Sequence, residues 1–339
     1  MSMNGDKGSA KCTRRGSRES LEFTTAAALA VVVALGMAST VACGKISSIK
    51  ANMTFKQANQ AYQAQDYKKA VALYEETLQN DPNQVAAYFF LGNSYDNLYR
   101  PGVKTPANDE IMSKAIQNYT LGAERIPVDT PINAQLKSRS LQFLMATYGS
   151  DKLDDPVKAE PVIIHLIELD PTEPAAYFQL AKLYEDAGEY AAAEQVLLRA
   201  KQMKPTEPTV YTTLAGYYNR QGEFEKTIEA LEERSQKEPN NPEALYTIAT
   251  YYWDKAYRDV RVKESEKRTY VEKGIAAVDH ALQIKADYIE ALVYKNLLLR
   301  LQANIEKDPA KQQALIKQAD TLRDKAEELR KRKATGVSD

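Results

Sequence analysis

Apolar residues recur along this chain with the spacing of amphipathic helices, and the pattern is clearest after Pro174. Four of them lie at i, i+3, i+4 and i+7, on one face of a first helix: Tyr177, Leu180, Ala181 and Tyr184. Gly188 follows, where a glycine allows the left-handed backbone that ends a helix. A second apolar face begins at Ala193 and continues through Leu197 to Ala200. The pattern predicts two helices joined by a tight turn.

The same helix pair is repeated along the chain. The stretch that begins at Pro174 aligns without a gap with the stretch that begins at Pro208, and Pro171, Pro205 and Pro239 are each 34 residues apart. Proline cannot continue a helix, so each of these residues marks the end of a unit. Each helix pair leaves an apolar face that only the next pair can cover. The chain is therefore predicted to be all-α, with its helical hairpins stacked into a solenoid.

This period resembles that of the tetratricopeptide repeat (TPR) family. The family's key positions are filled in the second stretch as well, by Tyr211, Leu214, Ala215, Tyr218, Gly222, Phe224, Leu231 and Pro239. The resemblance implies a right-handed superhelix of about six helix-turn-helix repeats with a C-terminal capping helix pair. The predicted boundaries are about 51–84, 85–127, 131–171, 174–207, 208–241 and 242–286 for the repeats, 287–333 for the helix pair and 334–339 for a disordered tail.

Two details of this reading concern single helices. Pro161 lies near the start of the second helix of the third repeat, so we expect that helix to begin late or to kink. The last helix is expected to seal the end of the solenoid, and the alternative is a coiled-coil site for a partner.

The first 43 residues predict export. A mostly basic segment (1–22) precedes an apolar stretch (26–38), and small residues then lead to Cys43, which is the order of a secretory signal peptide. The end of this segment, Thr40 to Cys43, resembles the lipobox of bacterial lipoproteins, whose cysteine carries the lipid, although Thr40 stands where leucine is usual. Residues 44–50 would then be a short tether. The alternatives are soluble export to the periplasm and an uncleaved signal anchor.

Composition and the motifs that are missing argue against several classes of function. The formal net charge of the 339 residues is −1, which argues against a general nucleic-acid binder. The two cysteines, Cys12 and Cys43, both precede the repeats, so the repeats contain no disulfide. His165 and His280 fall in different repeats and no metal, phosphate-loop or dinucleotide motif accompanies them. We therefore expect no enzyme, no cofactor and no metal site.

The TPR resemblance also implies where a partner binds. Positions 2, 5, 9, 12 and 13 of each repeat commonly face a ligand in the concave groove of this family. Carried onto this sequence, the partner groove is Phe89, Asn93, Asp96, Asn97, Phe178, Lys182, Glu185, Asp186, Thr212, Asn219, Arg220, Tyr246, Thr250, Trp253 and Asp254. Aromatic anchors among polar residues suit a protein or peptide partner, and Trp253 is the strongest candidate.

Together these patterns predict a non-enzymatic protein-binding scaffold of the bacterial cell envelope, held at the membrane and facing the periplasm. The alternative is a structural protein that self-assembles through the solenoid ends and the last helix. The sequence leaves the partner and the oligomeric state open.

Overall fold

A computed structural model describes residues 47–335, and these residues form helices and turns without a strand. The helices are, in chain order, α1 (47–63), α2 (Tyr67–Asn80), α3 (Ala86–Leu98), α4 (Pro106–Arg125), α5 (Pro131–Tyr148), α6 (Pro156–Leu169), α7 (Pro174–Asp186), α8 (Tyr190–Met203), α9 (Pro208–Arg220), α10 (Phe224–Lys237), α11 (Pro242–Arg258), α12 (Glu264–Ile284), α13 (Ile289–Ile305) and α14 (Pro309–Ala334). The all-α prediction is confirmed. None of the helices in this part of the chain is long and apolar enough to cross a membrane.

The chain divides into two compact units, and the division falls between Asp155 and Pro156. The first unit contains α1 to α5 and the second contains α6 to α14. The third predicted repeat, 131–171, therefore contributes one helix to each unit. The predicted signal segment and Cys43 lie outside the described residues.

The core of the first unit is rich in aromatic rings. Rings from five helices pack at centroid distances between 5.2 and 6.4 Å: Phe55, Tyr62, Tyr74, Phe89, Phe90, Tyr119 and Phe143. Gly92 of α3 allows Tyr119 of α4 to come close, because a Cβ at residue 92 would lie 2.9 Å from the Tyr119 ring. The glycine is therefore needed for the close approach of α3 and α4.

The second unit begins with the hairpins that the sequence predicts most clearly. Pro174 is in the first turn of α7, where its missing N–H is not needed, and the Glu173 side chain accepts a hydrogen bond from the backbone N–H of Ala175 (3.1 Å). Gly188 and Gly222 end the following turns with φ of +78° and +76°. The left-handed turn predicted at Gly188 is confirmed.

Tyrosines join the hairpins of this unit by repeated contacts. Tyr184 of α7 donates a hydrogen bond to Glu160 of α6 (2.6 Å), and Tyr218 of α9 donates to Glu194 of α8 (2.9 Å). In each pair the two residues are 24 positions apart. Tyrosine suits these positions because its hydroxyl is satisfied by a carboxylate while its ring remains able to pack.

The contact between α10 and α11 is built differently. Ile228 of α10 stands 24 residues before Tyr252, where the other two pairs have a glutamate, and its side chain has no hydrogen-bond acceptor. Tyr252 of α11 instead packs edge-on against Phe224 of α10, with ring centroids 5.8 Å apart. It also stacks on Tyr270 of α12 at 6.1 Å. A hydrogen bond is thus replaced by a group of rings.

Pro161 does not delay α6. The helix begins at Pro156, five residues earlier, and continues through Pro161 to Leu169, so the expectation of a late start is wrong. The proline removes a single N–H donor, which would have bonded to the carbonyl of Val157 in the first turn.

The last helix, α14, packs along α13. Its buried side chains are only Ala319 and Ala326, and these small residues allow a close approach. Asp320 pairs with Arg300 of α13 (2.6 Å), and Lys325 donates to the backbone carbonyl of Ala286 (3.0 Å). α14 thus covers one side of α13 through a narrow apolar seam with polar contacts beside it.

Candidate partner-binding surface

Five aromatic rings on α11, on α13 and just before α13 form a continuous row. In order along this aromatic row they are Tyr257, Trp253, Tyr294, Tyr246 and Tyr288. Trp253 stacks on Tyr257 with centroids 4.8 Å apart and planes 16° apart. The other three contacts are edge-on, at 5.8, 5.3 and 5.6 Å. The row brings two predicted residues, Trp253 and Tyr246, together with three that the repeat positions did not indicate.

The helix period of α11 explains why the row forms. Tyr246, Trp253 and Tyr257 lie at i, i+7 and i+11, on one side of the helix, and the buried Ala249 and Ala256 lie next to this side, towards the core. Trp253 and Tyr294 pack against the apolar cluster that contains these alanines, so the inner rings are held in place. Tyr257 is 59% exposed. The row therefore has a fixed inner part and an open outer ring.

Two tyrosine hydroxyls of the row, those of Tyr246 and Tyr288, remain neutral donors at physiological pH. Burial raises the pKa of Tyr246, and the nearby Tyr294, Glu290 and Glu243 raise it further. Burial also raises the pKa of Tyr288 to about 12, with smaller contributions from Glu290 and Glu243. The row thus offers apolar ring faces and uncharged hydrogen-bonding groups to a partner.

Charged residues beside the outer end of the row are paired with one another. Asp254, a predicted groove residue, is exposed and pairs with Arg258 one turn later (2.9 Å). Asp259 accepts from both Lys255 (3.0 Å) and Arg261 (2.9 Å). The rim therefore carries both signs of charge and does not select strongly for either.

The predicted groove residues of α7 and α9 are also engaged with each other. Arg220 donates two parallel hydrogen bonds of 2.8 and 2.9 Å to the Glu185 carboxylate, and this contact lowers the pKa of the Glu185 carboxyl. Lys182 pairs with Asp186 one turn later. The others here are Phe178, which is half-buried, and the exposed Thr212 and Asn219. Thr250 of α11 is half-buried and its hydroxyl donates to the carbonyl of Thr247 (2.7 Å).

Two predicted groove residues of the first unit are buried and do not line an open groove. Phe89 is 3% exposed and packs within the aromatic core. Asn93 is also buried, where it accepts from Tyr62 (2.6 Å) and donates to Tyr119 (3.2 Å). Asn97 is exposed and donates to Asn93. Rings of neighbouring helices cover the Phe89 and Asn93 side chains.

Asp96 is held in the same polar network. It accepts from the hydroxyl of Tyr119 (3.2 Å) and pairs with Lys152 (2.5 Å). Lys152 lies in the turn after α5, 56 residues after Asp96 in the sequence. No local pattern could therefore have indicated this pairing. Asp96 therefore serves the fold of the first unit.

Residues 47–335 contain no cluster of side chains suited to a metal ion. No group of three or more His, Cys, Asp or Glu side chains there could hold a metal ion. His280 is exposed and His165 is partly exposed, on separate helices.

Comparison with known sequences identifies the repeats. Two sequence families, each described as tetratricopeptide repeat, match residues 152–216 and 55–98. These two stretches are therefore similar to tetratricopeptide repeats. The first match runs from α6 into α9, and the second runs from within α1 to the end of α3. No curated protein matches the sequence.

Solved TPR structures resemble the chain at low identity. The C-terminal part of a TPR repeat-containing protein from Cytophaga hutchinsonii is 18% identical, with 79% of this chain and 95% of that chain covered and a TM-score of 0.50. MamA from Desulfovibrio magneticus (15% identity, 57% and 95% covered, TM-score 0.37) and YrrB, described as a TPR protein with an unusual peptide-binding site (18%, 57% and 89%, 0.36), are further matches. The likeness to the Cytophaga hutchinsonii protein shows a similar fold and no more.

Proposed function

We propose that this TPR protein is a non-enzymatic scaffold of the bacterial cell envelope that binds a protein or peptide through the aromatic row. The observation that carries the proposal is the stack of Tyr257 on Trp253, in which an exposed ring rests on one that is fixed by the core. Rigid aromatic anchors lose little conformational freedom on binding, and they dominate the energy of many interfaces.

The surroundings of the row favour a polypeptide partner. The rings continue from α11 to α13, with Tyr257 exposed and the other four partly buried, and the neutral phenols of Tyr246 and Tyr288 lie next to apolar ring faces. The charged rim of Asp254, Arg258 and Asp259 carries both signs, so it can meet a partner of mixed charge. These are the features of an interface with an apolar centre and a polar rim.

The binding proposal is tested by truncating the exposed ring. Trp253→Ala would also remove packing from the core, so Tyr257→Ala is the sharper change. Tyr190→Ala is the matched control, because Tyr190 is a 50% exposed tyrosine on α8, outside the row. Partners are crosslinked in the native membrane and identified from each variant.

We expect Tyr257→Ala to reduce recovery of the partner by about tenfold or more, as for the loss of a central aromatic anchor. Tyr190→Ala should retain it. Unchanged recovery with a Tyr257→Ala protein of normal helical content would contradict the proposal.

The proposed cellular location, at the membrane and facing the periplasm, depends on the segment that ends at Cys43. Its basic, apolar and small-residue parts and the lipobox-like Thr40 to Cys43 support lipid anchoring with the repeats facing the periplasm. The test is the mass of the N-terminal peptide of the native protein, compared with Cys43→Ala. A diacylglyceryl group on Cys43 is expected. An unmodified peptide that starts at Cys43 would indicate soluble export, and an intact 1–43 segment would indicate a signal anchor or no export.

A further inference from the structure

The outer side of α1 carries two exposed apolar side chains close to the predicted anchor. Ile49 is 62% exposed and Met53, one turn later, is 61% exposed. The opposite side of α1 is buried through Ala51, Ala58 and Ala61. Ile49 and Met53 therefore project away from the core of the first unit.

The charge of this segment has one sign. Between Gly44 and Gln65 the sequence contains lysines at 45, 50 and 56 and no aspartate or glutamate. The whole chain, in contrast, has 45 basic and 46 acidic residues. Lys50 pairs with Glu76 of α2 (2.9 Å), and Lys56 is exposed on α1. A helix with apolar side chains among lysines is the type that binds a membrane surface.

The distance from the anchor limits where this face can be. Ile49 follows Cys43 by six residues, which reach at most about 20 Å when fully extended. A lipid on Cys43 would therefore hold Ile49 close to the headgroup region, and this step rests on the address proposed above.

We propose that the outer face of α1, formed by Ile49 and Met53 with Lys50 and Lys56 beside them, lies on the anionic surface of the membrane that holds the lipid anchor. The apolar side chains enter the interface, and the exposed Lys56 meets the phosphate groups of the lipids, while Lys50 stays paired with Glu76. Each lysine near such a surface adds attraction that salt weakens. Docking through this face fixes which side of the first unit meets the membrane.

A second copy of the chain is a poorer occupant of the same face. The face carries the exposed Lys56 and no acidic residue of α1, so a second copy would bring like charge to it, and like charges in contact oppose association. The apolar part consists of two side chains, which is little area for a stable dimer. An anionic lipid surface satisfies both the apolar and the basic residues.

The test measures contact with lipid at single positions. The full chain with Cys12→Ser is purified from membranes and reconstituted into vesicles of mixed zwitterionic and anionic phospholipid. Ile49→Cys and Met53→Cys are each labelled with a polarity-sensitive fluorophore, and lipids with a spin-labelled acyl chain act as quenchers. Met203→Cys is the matched control, because Met203 is an exposed methionine at the end of α8. The parent with Cys12→Ser alone reports any labelling of Cys43.

We expect quenching at 49 and 53 to exceed quenching at 203 by about threefold or more, and to fall in vesicles without anionic lipid. Equal, weak quenching at all three positions in protein that floats with the vesicles would overturn the inference and leave the address intact. A shielded but unquenched label at 53 would also overturn it, in favour of a protein partner or a second copy. Protein that does not float would overturn the address and the inference together.

Discussion

The phenol of Tyr218 on α9 donates a hydrogen bond of 2.9 Å to Oε1 of Glu194 on α8. Lys226 of α10 reaches the same oxygen at 3.0 Å, so the carboxylate joins three helices. The contacts from Lys226 and Tyr218 hold the pKa of Glu194 below its ordinary value. Burial and the hydrogen bond to the carboxylate raise the pKa of Tyr218, so the phenol keeps its proton.

Tyr218→Phe removes this hydrogen bond while the ring and the Lys226 contact remain. We expect the free energy of unfolding to fall by about 1 kcal/mol, because the net value of one such bond is modest. Urea denaturation measures the change. Tyr190→Phe is the control, since that exposed hydroxyl should contribute much less. Equal effects of the two substitutions would show that the Tyr218 contact adds no stability.

The Arg220–Glu185 pair should make stability depend on pH. The pKa of Glu185 is lowered in the folded protein, chiefly by hydrogen bonds from Arg220, so the contribution is present above the unfolded pKa of about 4.3 and is lost as pH falls through the folded pKa. Glu185→Gln should cost about 1 kcal/mol or less at pH 7, because Arg220 is half exposed. The cost should shrink steadily below pH of about 4.

Urea unfolding across this pH range compares Glu185→Gln with Glu229→Gln, an exposed glutamate of α10. The control should show little change at any pH. A cost of Glu185→Gln that stays constant down to acidic pH would contradict the role of the ion pair.

Two glycines in helix interiors should respond oppositely to alanine. In Gly92→Ala the new Cβ meets the Tyr119 ring at 2.9 Å and the carbonyl of Ala115 at 3.2 Å, so we expect a loss of about 1–3 kcal/mol. In Gly216→Ala the Cβ meets only the flexible end of Arg220 at 3.4 Å. This change should stabilise the protein by about 0.5 kcal/mol through helix propensity. Thermal unfolding followed by helical content measures both, and destabilisation by both to the same extent would count against the Gly92–Tyr119 contact.

Alkaline pH should unfold the chain through its tyrosines. Burial raises the pKa of Tyr252 to about 12, and the hydrogen bond to Glu160, followed by burial, raises that of Tyr184 to about 12. The neutral phenol is favoured in the folded state, so its stabilising contribution is full below the unfolded pKa of about 10 and is lost as pH rises towards 12.

Tyrosinate absorbance, followed together with helical content, tests this prediction. Part of the tyrosine signal should appear only as the helices melt, whereas in denaturant all 21 tyrosines should ionise near their ordinary pKa. Complete ionisation near pH of about 10 with the helices intact would contradict it.

The sequence predicted what local chemistry determines. Pro174 and Gly188 mark the start and end of α7 because their effects on the backbone act within one turn. The burial of Phe89 and the pairing of Asp96 with Lys152 were missed, because they depend on residues brought together by folding. The carry-over of groove positions assumed regular repeats, and it did not indicate Tyr257 or Tyr294. Tyr294 reaches Trp253 only when α11 and α13 pack.

In the second unit, a hydrogen bond joins α8 to α9 whereas packed rings join α10 to α11, and this difference has a mechanical consequence. Hydrogen bonds such as Tyr218 to Glu194 weaken steeply with small changes of distance and angle, whereas the packing of Tyr252 against Phe224 and Tyr270 changes gradually as the rings slide. A shearing force should therefore be resisted between α8 and α9 until the hydrogen bond breaks. Under the same force α10 and α11 should slide past each other gradually. Strain would then be absorbed beside the aromatic row, where the rings of α11 can shift in small steps.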